Sequence, residues 1–142
     1  PKKPIVFYID TLMPDSWKPY IKEGVEEWNK SFEKIGYLNA VQAKEWPKGT
    51  DFSSSNIRHS SICYAPDWMY MAQTSMHTDP RTGEILNASV YIHHNFLSLL
   101  YSGRCTQTMA SDPTARTLTL SEKQMGELLK VGIAQQVFGT YR

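Results

Sequence analysis

The sequence is poor in the residues that most often announce a fold or a chemistry. It holds two cysteines, Cys63 and Cys105, too few for a disulfide framework. One bridge or two free thiols both stay open, and Cys63 lies in a stretch that reads as buried strand, where a free cysteine is a small core residue. Charge of neither sign dominates: 15 Lys and Arg face 14 Asp and Glu, for a formal +1. The basic field that nucleic acid or an anionic membrane surface calls for is therefore missing. No apolar run approaches the roughly 18 residues that a membrane span needs. The four histidines, His59, His77, His93 and His94, include no pair at ligand-like helical spacing. Repeats, low-complexity tracts and domain linkers are lacking. So is an initiating Met: the chain opens on Pro1, as a mature or excised segment does, and the missing signal peptide says nothing of compartment.

What is present suits one domain. The 142 residues are 41% hydrophobic and 12% aromatic, enough for a sizeable core. Residues 4–10, "PIVFYID", form a short apolar run of buried-strand type. From Trp17 the apolar positions 17, 20, 21, 24, 25, 28, 32 and 35 trace one face of a helix over residues 16–35. Asp15 is its expected N-cap, Pro19 fits the first turn, and Gly36 sits where a C-cap glycine belongs. Strands are expected at 39–45 and 57–65, and extended stretches at 69–77 and 85–93, joined by the turn chemistry of "TDPRTGE". "NFLSLLYSG" begins either a helix or a long crossing segment. Ser121, with Gln124 three residues on, is a capping box opening a helix to 138, with Met125, Leu128, Leu129 and Ile133 as its stripe. Gly132 in that stripe would let another backbone approach. Gln136 falls on the same stripe, an amide where apolar residues belong. The order strand, helix, four strands, helix predicts an α/β or α+β fold. Its expected form is a twisted mixed sheet of about five strands with two long helices, opened by a right-handed parallel crossover.

Five stretches carry a more specific resemblance: "PIVFYID", "WKPYIKEGVEEWNKSFEKIGY", "NAVQAKEWP", "DPRTGEILNASVYIHHN" and "MGELLKVGIAQQV". Together they resemble the catalytic domain of a family of large bacterial zinc-dependent metalloproteases, metzincin-like proteins that are secreted or held at the cell envelope. The likeness runs over roughly residues 4–140 and implies the upper, N-terminal subdomain of a zincin fold, with the lower subdomain absent from residues 1–142. In that family the last helix carries H-E-x-x-H. Two histidines at i and i+4 share a helical face and meet one zinc ion, and the glutamate activates the bound water. The matching positions here read Gln135, Gln136, Val137, Phe138, Gly139. Gln135 stands for the first ligand, Gln136 for the general base and Gly139 for the second ligand, while Phe138 replaces a small residue. A glutamine amide accepts no proton at neutral pH, its carbonyl is a poor zinc ligand, and glycine has no side chain. His93 and His94 offer no rescue, since adjacent strand positions point to opposite faces.

The resemblance therefore implies a catalytically inactive metalloprotease-like domain, with no catalytic residue, no metal site and no cofactor where the family holds zinc. A zinc-dependent metallopeptidase completed by parts outside this chain is the alternative, and a purely structural domain of a longer envelope protein a third. Natural truncation, excision after the last helix and engineered silencing all stay open. In such folds the strand above the cleft pairs with extended substrate, and Met71, Ala72, Gln73, Thr74 and Ser75 are the expected peptide-binding edge. The expected partner is an extended peptide or protein segment, with neither nucleic acid nor membrane span. Self-association is also expected, from partial exposure of Val137, Phe138 and Tyr141. The location implied is extracytoplasmic: secreted, periplasmic or cell-surface.

Overall fold

A computed structural model describes residues 3–47, 49, 53, 56–69, 71–108, 110–113 and 120–140, with residues 108 and 138–140 by backbone alone. Its elements are β1 (Ile5–Ile9), α1 (Lys18–Glu26), α2 (Asn29–Lys34), β2 (Val41–Glu45), β3 (Ser60–Ala65), β4 (Ala72–Thr78), β5 (Ile85–His93), α3 (Phe96–Thr108) and α4 (Glu122–Thr140). The strands form one sheet in the order β2-β1-β3-β5-β4. β1 runs parallel to β2 and β3, β3 parallel to β5, and β4 lies antiparallel on β5 at the edge. The mixed α/β class and the five-stranded mixed sheet are as the hydrophobic pattern predicts.

Alternation along the strands explains the layers. Phe7, Ile9, Val41, Ala43, Ile62, Ala88, Val90 and Ile92 are buried and join Ile21 and Val25 of α1 and Leu129, Ile133 and Val137 of α4 in one core. Each fully buried large side chain of this set contributes about 1.5–3 kcal/mol before the entropy of ordering is counted. On the other face, register aligns Lys44, Tyr8, Ser61, Ser89 and Ser75 in a row across all five strands. Ser61 and Ser89 are buried there with their hydroxyls 3.2 Å apart. The Tyr8 ring meets Trp46 and His59 edge-on, and the Asn87 side chain donates to the Asn56 and His59 carbonyls. The connection from β2 to β3 is tied to this face in that way.

The helices depart from the two long ones expected. The first breaks at Glu27–Trp28, where i→i−3 bonds (Lys30 to Glu27, Ser31 to Trp28) interrupt the α-helical ladder. Two anchors flank the break. Trp28 Nε1 donates to the Ala134 carbonyl of α4 at 2.7 Å. Asn29 clasps the start of β2, donating to the Val41 carbonyl at 2.8 Å and accepting the Val41 N–H at 2.9 Å. Periodicity alone does not report such tertiary ties. "NFLSLLYSG" is helical, the start of α3, which packs on α4. Asp15 is not the N-cap: Trp17 holds that position without a side-chain bond, and Asp15 pairs with Lys18 at 2.5 Å. Gly36 does close α2, at φ 88°, with Tyr37 N–H on Phe32 O and Gly36 N–H on Glu33 O, a Schellman motif. The Ser121 capping box also forms, Gln124 N–H to Ser121 Oγ and Ser121 N–H to Gln124 Oε1. At Gly132 it is side chains of α3, Leu100 and Phe96, that come close, rather than a backbone.

Candidate functional site

The last helix is held to α1 by its own pattern of small and apolar residues. Gly126, Leu129, Gly132, Ile133 and Val137 are its buried line. Gln136 lies one turn past Gly132 and Ile133 on that line and is half-buried, at the margin rather than the middle of the stripe. Gln135 is exposed, and the side chain of residue 139 lies outside the described residues. The three positions expected to match the family motif lie on one helix, and of the two with described side chains one is exposed and the other half-buried. Among the described residues no group of three His, Cys, Asp or Glu is placed to hold a metal ion. No helix there is long and apolar enough to cross a membrane.

Val137 corrects an expectation. It is buried, 3% exposed, against the core and beside Trp28, Phe32 and Val41. The Phe138 side chain and Tyr141 lie outside the described residues, so the exposed cluster expected to drive self-association loses its only described member.

The strand β4 is where the candidate edge residues come together. It pairs with β5 alone among the described residues, and α4 runs near both strands. Ala72 and Thr74 are half-buried, Ala72 against the core, while Met71, Gln73 and Ser75 are exposed. Alternation along the strand accounts for this: Gln73 and Ser75 share the face of their register partners Tyr91 and Ser89. The strand spans seven residues, "AQTSMHT", with no Lys, Arg, Asp, Glu or Pro. About half of its N–H and C=O groups point away from β5, and among the described residues no other strand pairs with them.

The loop leading into β4 is fixed by Asp67 and Asn95, which the sequence did not single out, together with His93. Asp67 Oδ1 accepts the Met69 N–H at 3.1 Å and the His93 Nδ1–H at 2.6 Å. Asn95 Nδ2 donates to the Trp68 carbonyl at 3.2 Å. His93 is 5% exposed, and its Nε2 is buried without a partner among the described residues. Its neighbour His94 points the other way, its Nδ1 2.7 Å from the Tyr64 hydroxyl and its ring stacked on Trp17 at 5.7 Å. Both histidines are expected at strand positions, but β5 ends at His93 and His94 follows it in a turn, so alternation does not set the direction of His94; the two rings simply have different partners. The only sequence signal for the loop was "PDW", an acid and a large aromatic after a strand-ending proline.

The thiols are unbridged: Cys63 is buried in β3 and Cys105 half-buried in α3. Burial pushes the Cys63 thiol pKa up; the Ser61 hydroxyl, 3.3 Å away, opposes that, and nearby Asp10 adds to it. A protonated, enclosed thiol is a poor nucleophile. Comparison with family models, curated proteins and solved structures finds no match to this chain.

Proposed function

We propose that the chain is a metzincin-like domain without catalytic activity, which binds an extended peptide or protein segment along the free edge of β4. The observation that carries this reading is the edge itself. Edge strands are commonly blunted by charge, proline or cover, and β4 has no Lys, Arg, Asp, Glu or Pro and is paired on one side only among the described residues. A segment adding there gains main-chain hydrogen bonds that need no metal. Two further points support it. The stretches that resemble bacterial zinc metalloproteases span the sheet and the last helix. Within that resemblance, Gln136 occupies the position of the general base and Gln135 and Gly139 those of zinc ligands. The extracytoplasmic location is part of the same proposal.

The test is a calorimetric titration of the purified chain with an uncharged extended heptapeptide in the presence of EDTA. Mass spectrometry of the peptide follows after incubation with added zinc. Saturable binding unaffected by the chelator, and an intact peptide, are expected. Cleavage that EDTA abolishes would overturn the inactive assignment. No binding up to millimolar peptide would overturn the edge assignment.

A further inference from the structure

We propose that Asp67 and Trp68, at the head of β4, form a subsite for a cationic side chain of the segment that adds to that edge. The inference rests on the reading of β4 as a peptide-binding edge and names the chemistry that the edge selects.

The geometry of Asp67 carries the argument. One carboxylate oxygen, Oδ1, takes both the Met69 N–H and the His93 Nδ1–H, which fills its acceptor positions and sets the orientation of the group. The other, Oδ2, has no partner among the described residues, and the side chain is 42% exposed. No Lys or Arg pairs with Asp67 there. A carboxylate fixed by one oxygen and open at the other is ready for a cation without a further ordering cost.

Trp68 follows it and is 79% exposed, the most exposed of the large apolar side chains among the described residues. Its backbone is not loose, since Asn95 holds its carbonyl. An indole displayed from a fixed loop, next to a carboxylate, suits an ammonium or guanidinium group, which is attracted to the ring face as well as to the anion. The register Ala72↔Ile92 puts the first residue of β4 beside the end of β5, where His93 holds Asp67. A strand added to β4 therefore brings one of its ends to this loop.

His93 supplies an independent observation. With Nδ1 engaged by Asp67, its Nε2 is left as a buried polar atom without a partner among the described residues. A buried polar atom left unsatisfied is a cost, and this one is borne where it orients Asp67.

The experiment compares three acetylated and amidated heptapeptides of alternating Thr and Val. One carries Lys at its first position, one carries Lys at its last, and one carries Gln at both. One of the two Lys peptides is expected to bind roughly fivefold tighter than the Gln peptide at low salt, from an exposed ion pair plus a cation–π contact. The advantage should vanish in 0.5 M salt, a concentration that shortens screening to a few ångströms. Asp67→Asn, which keeps Oδ1 for His93 and Met69, should remove the advantage. Trp68→Ala should reduce it. Equal binding of Lys and Gln peptides, or discrimination that survives Asp67→Asn, would overturn the subsite and leave the edge reading standing. Failure of all three peptides to bind would overturn both.

Discussion

Gly24→Ala is expected to destabilise the protein, although alanine is the better helix former. A Cβ built at Gly24 of α1 lies 2.6 Å from the Lys130 carbonyl oxygen of α4 and 3.2 Å from Ile133 Cβ. An ordinary C···O approach is about 3.3 Å or more, so the helices must part by roughly 0.7 Å. The obstacle is backbone, which cannot swing aside as a side chain does. Overpacking of this kind costs about 1–3 kcal/mol, against a propensity gain of at most about 1 kcal/mol. The net is a loss of up to about 2 kcal/mol, or up to roughly 8 °C in Tm for a domain of this size. Gly103→Ala in α3 is the control. Among the described residues nothing lies within 4 Å of its Cβ, so the propensity term acts alone and stability should rise by about 0.5–1 kcal/mol. Urea unfolding followed by far-ultraviolet circular dichroism gives both values. If Gly24→Ala stabilises the chain as much as Gly103→Ala, α1 and α4 are not in the close contact that sets the position of the last helix.

Three further outcomes follow from single features. Ser121→Ala removes the side-chain cap of α4 and should cost about 1 kcal/mol, read from the same unfolding curves. Because the folded chain raises the Cys63 pKa, the stability gained from its neutral thiol is fully present below the ordinary value of 9.0 and is lost as pH rises through the raised value. Wild type should therefore lose stability relative to Cys63→Ala as pH climbs above 9, and a difference that stays constant with pH would contradict this. Elemental analysis of purified protein should find no stoichiometric zinc; a value near one zinc per chain would contradict the assignment of Gln135 and Gly139 as lost ligand positions.

Local patterns proved the readable part of the fold. The continuous apolar run of β1, the alternation in "ILNASVYIH", the Ser121–Gln124 box and Gly36 depend on neighbours a few residues away, and each formed as expected. The break at Trp28 did not show, because it coincides with bonds to Ala134 and Val41, 106 and 12 residues distant. Asp15 has the side chain of an N-cap, but its ion pair with Lys18 competes for it. For the site, "MYMAQTSMH" read as extended, and β4 does lie at the edge. The Asp67–His93 pair escaped notice for a topological reason. Its members are 26 residues apart and meet only because β3 and β5 are parallel neighbours that end at the same side of the sheet. Gln136 stood out as an amide on an apolar stripe, yet it is half-buried while Val137 beside it is buried, a difference set by tertiary packing rather than by helical period.

The most direct test of the account is residue-resolved amide hydrogen exchange, followed by NMR, for the chelator-treated protein with and without saturating extended peptide. Strand addition engages every second residue of an edge, so protection should rise with period two along Ala72–Thr78, leaving the intervening amides and the distant β2 edge unchanged. Unchanged exchange along β4 at saturation, or protection that appears only when zinc is added, would contradict it.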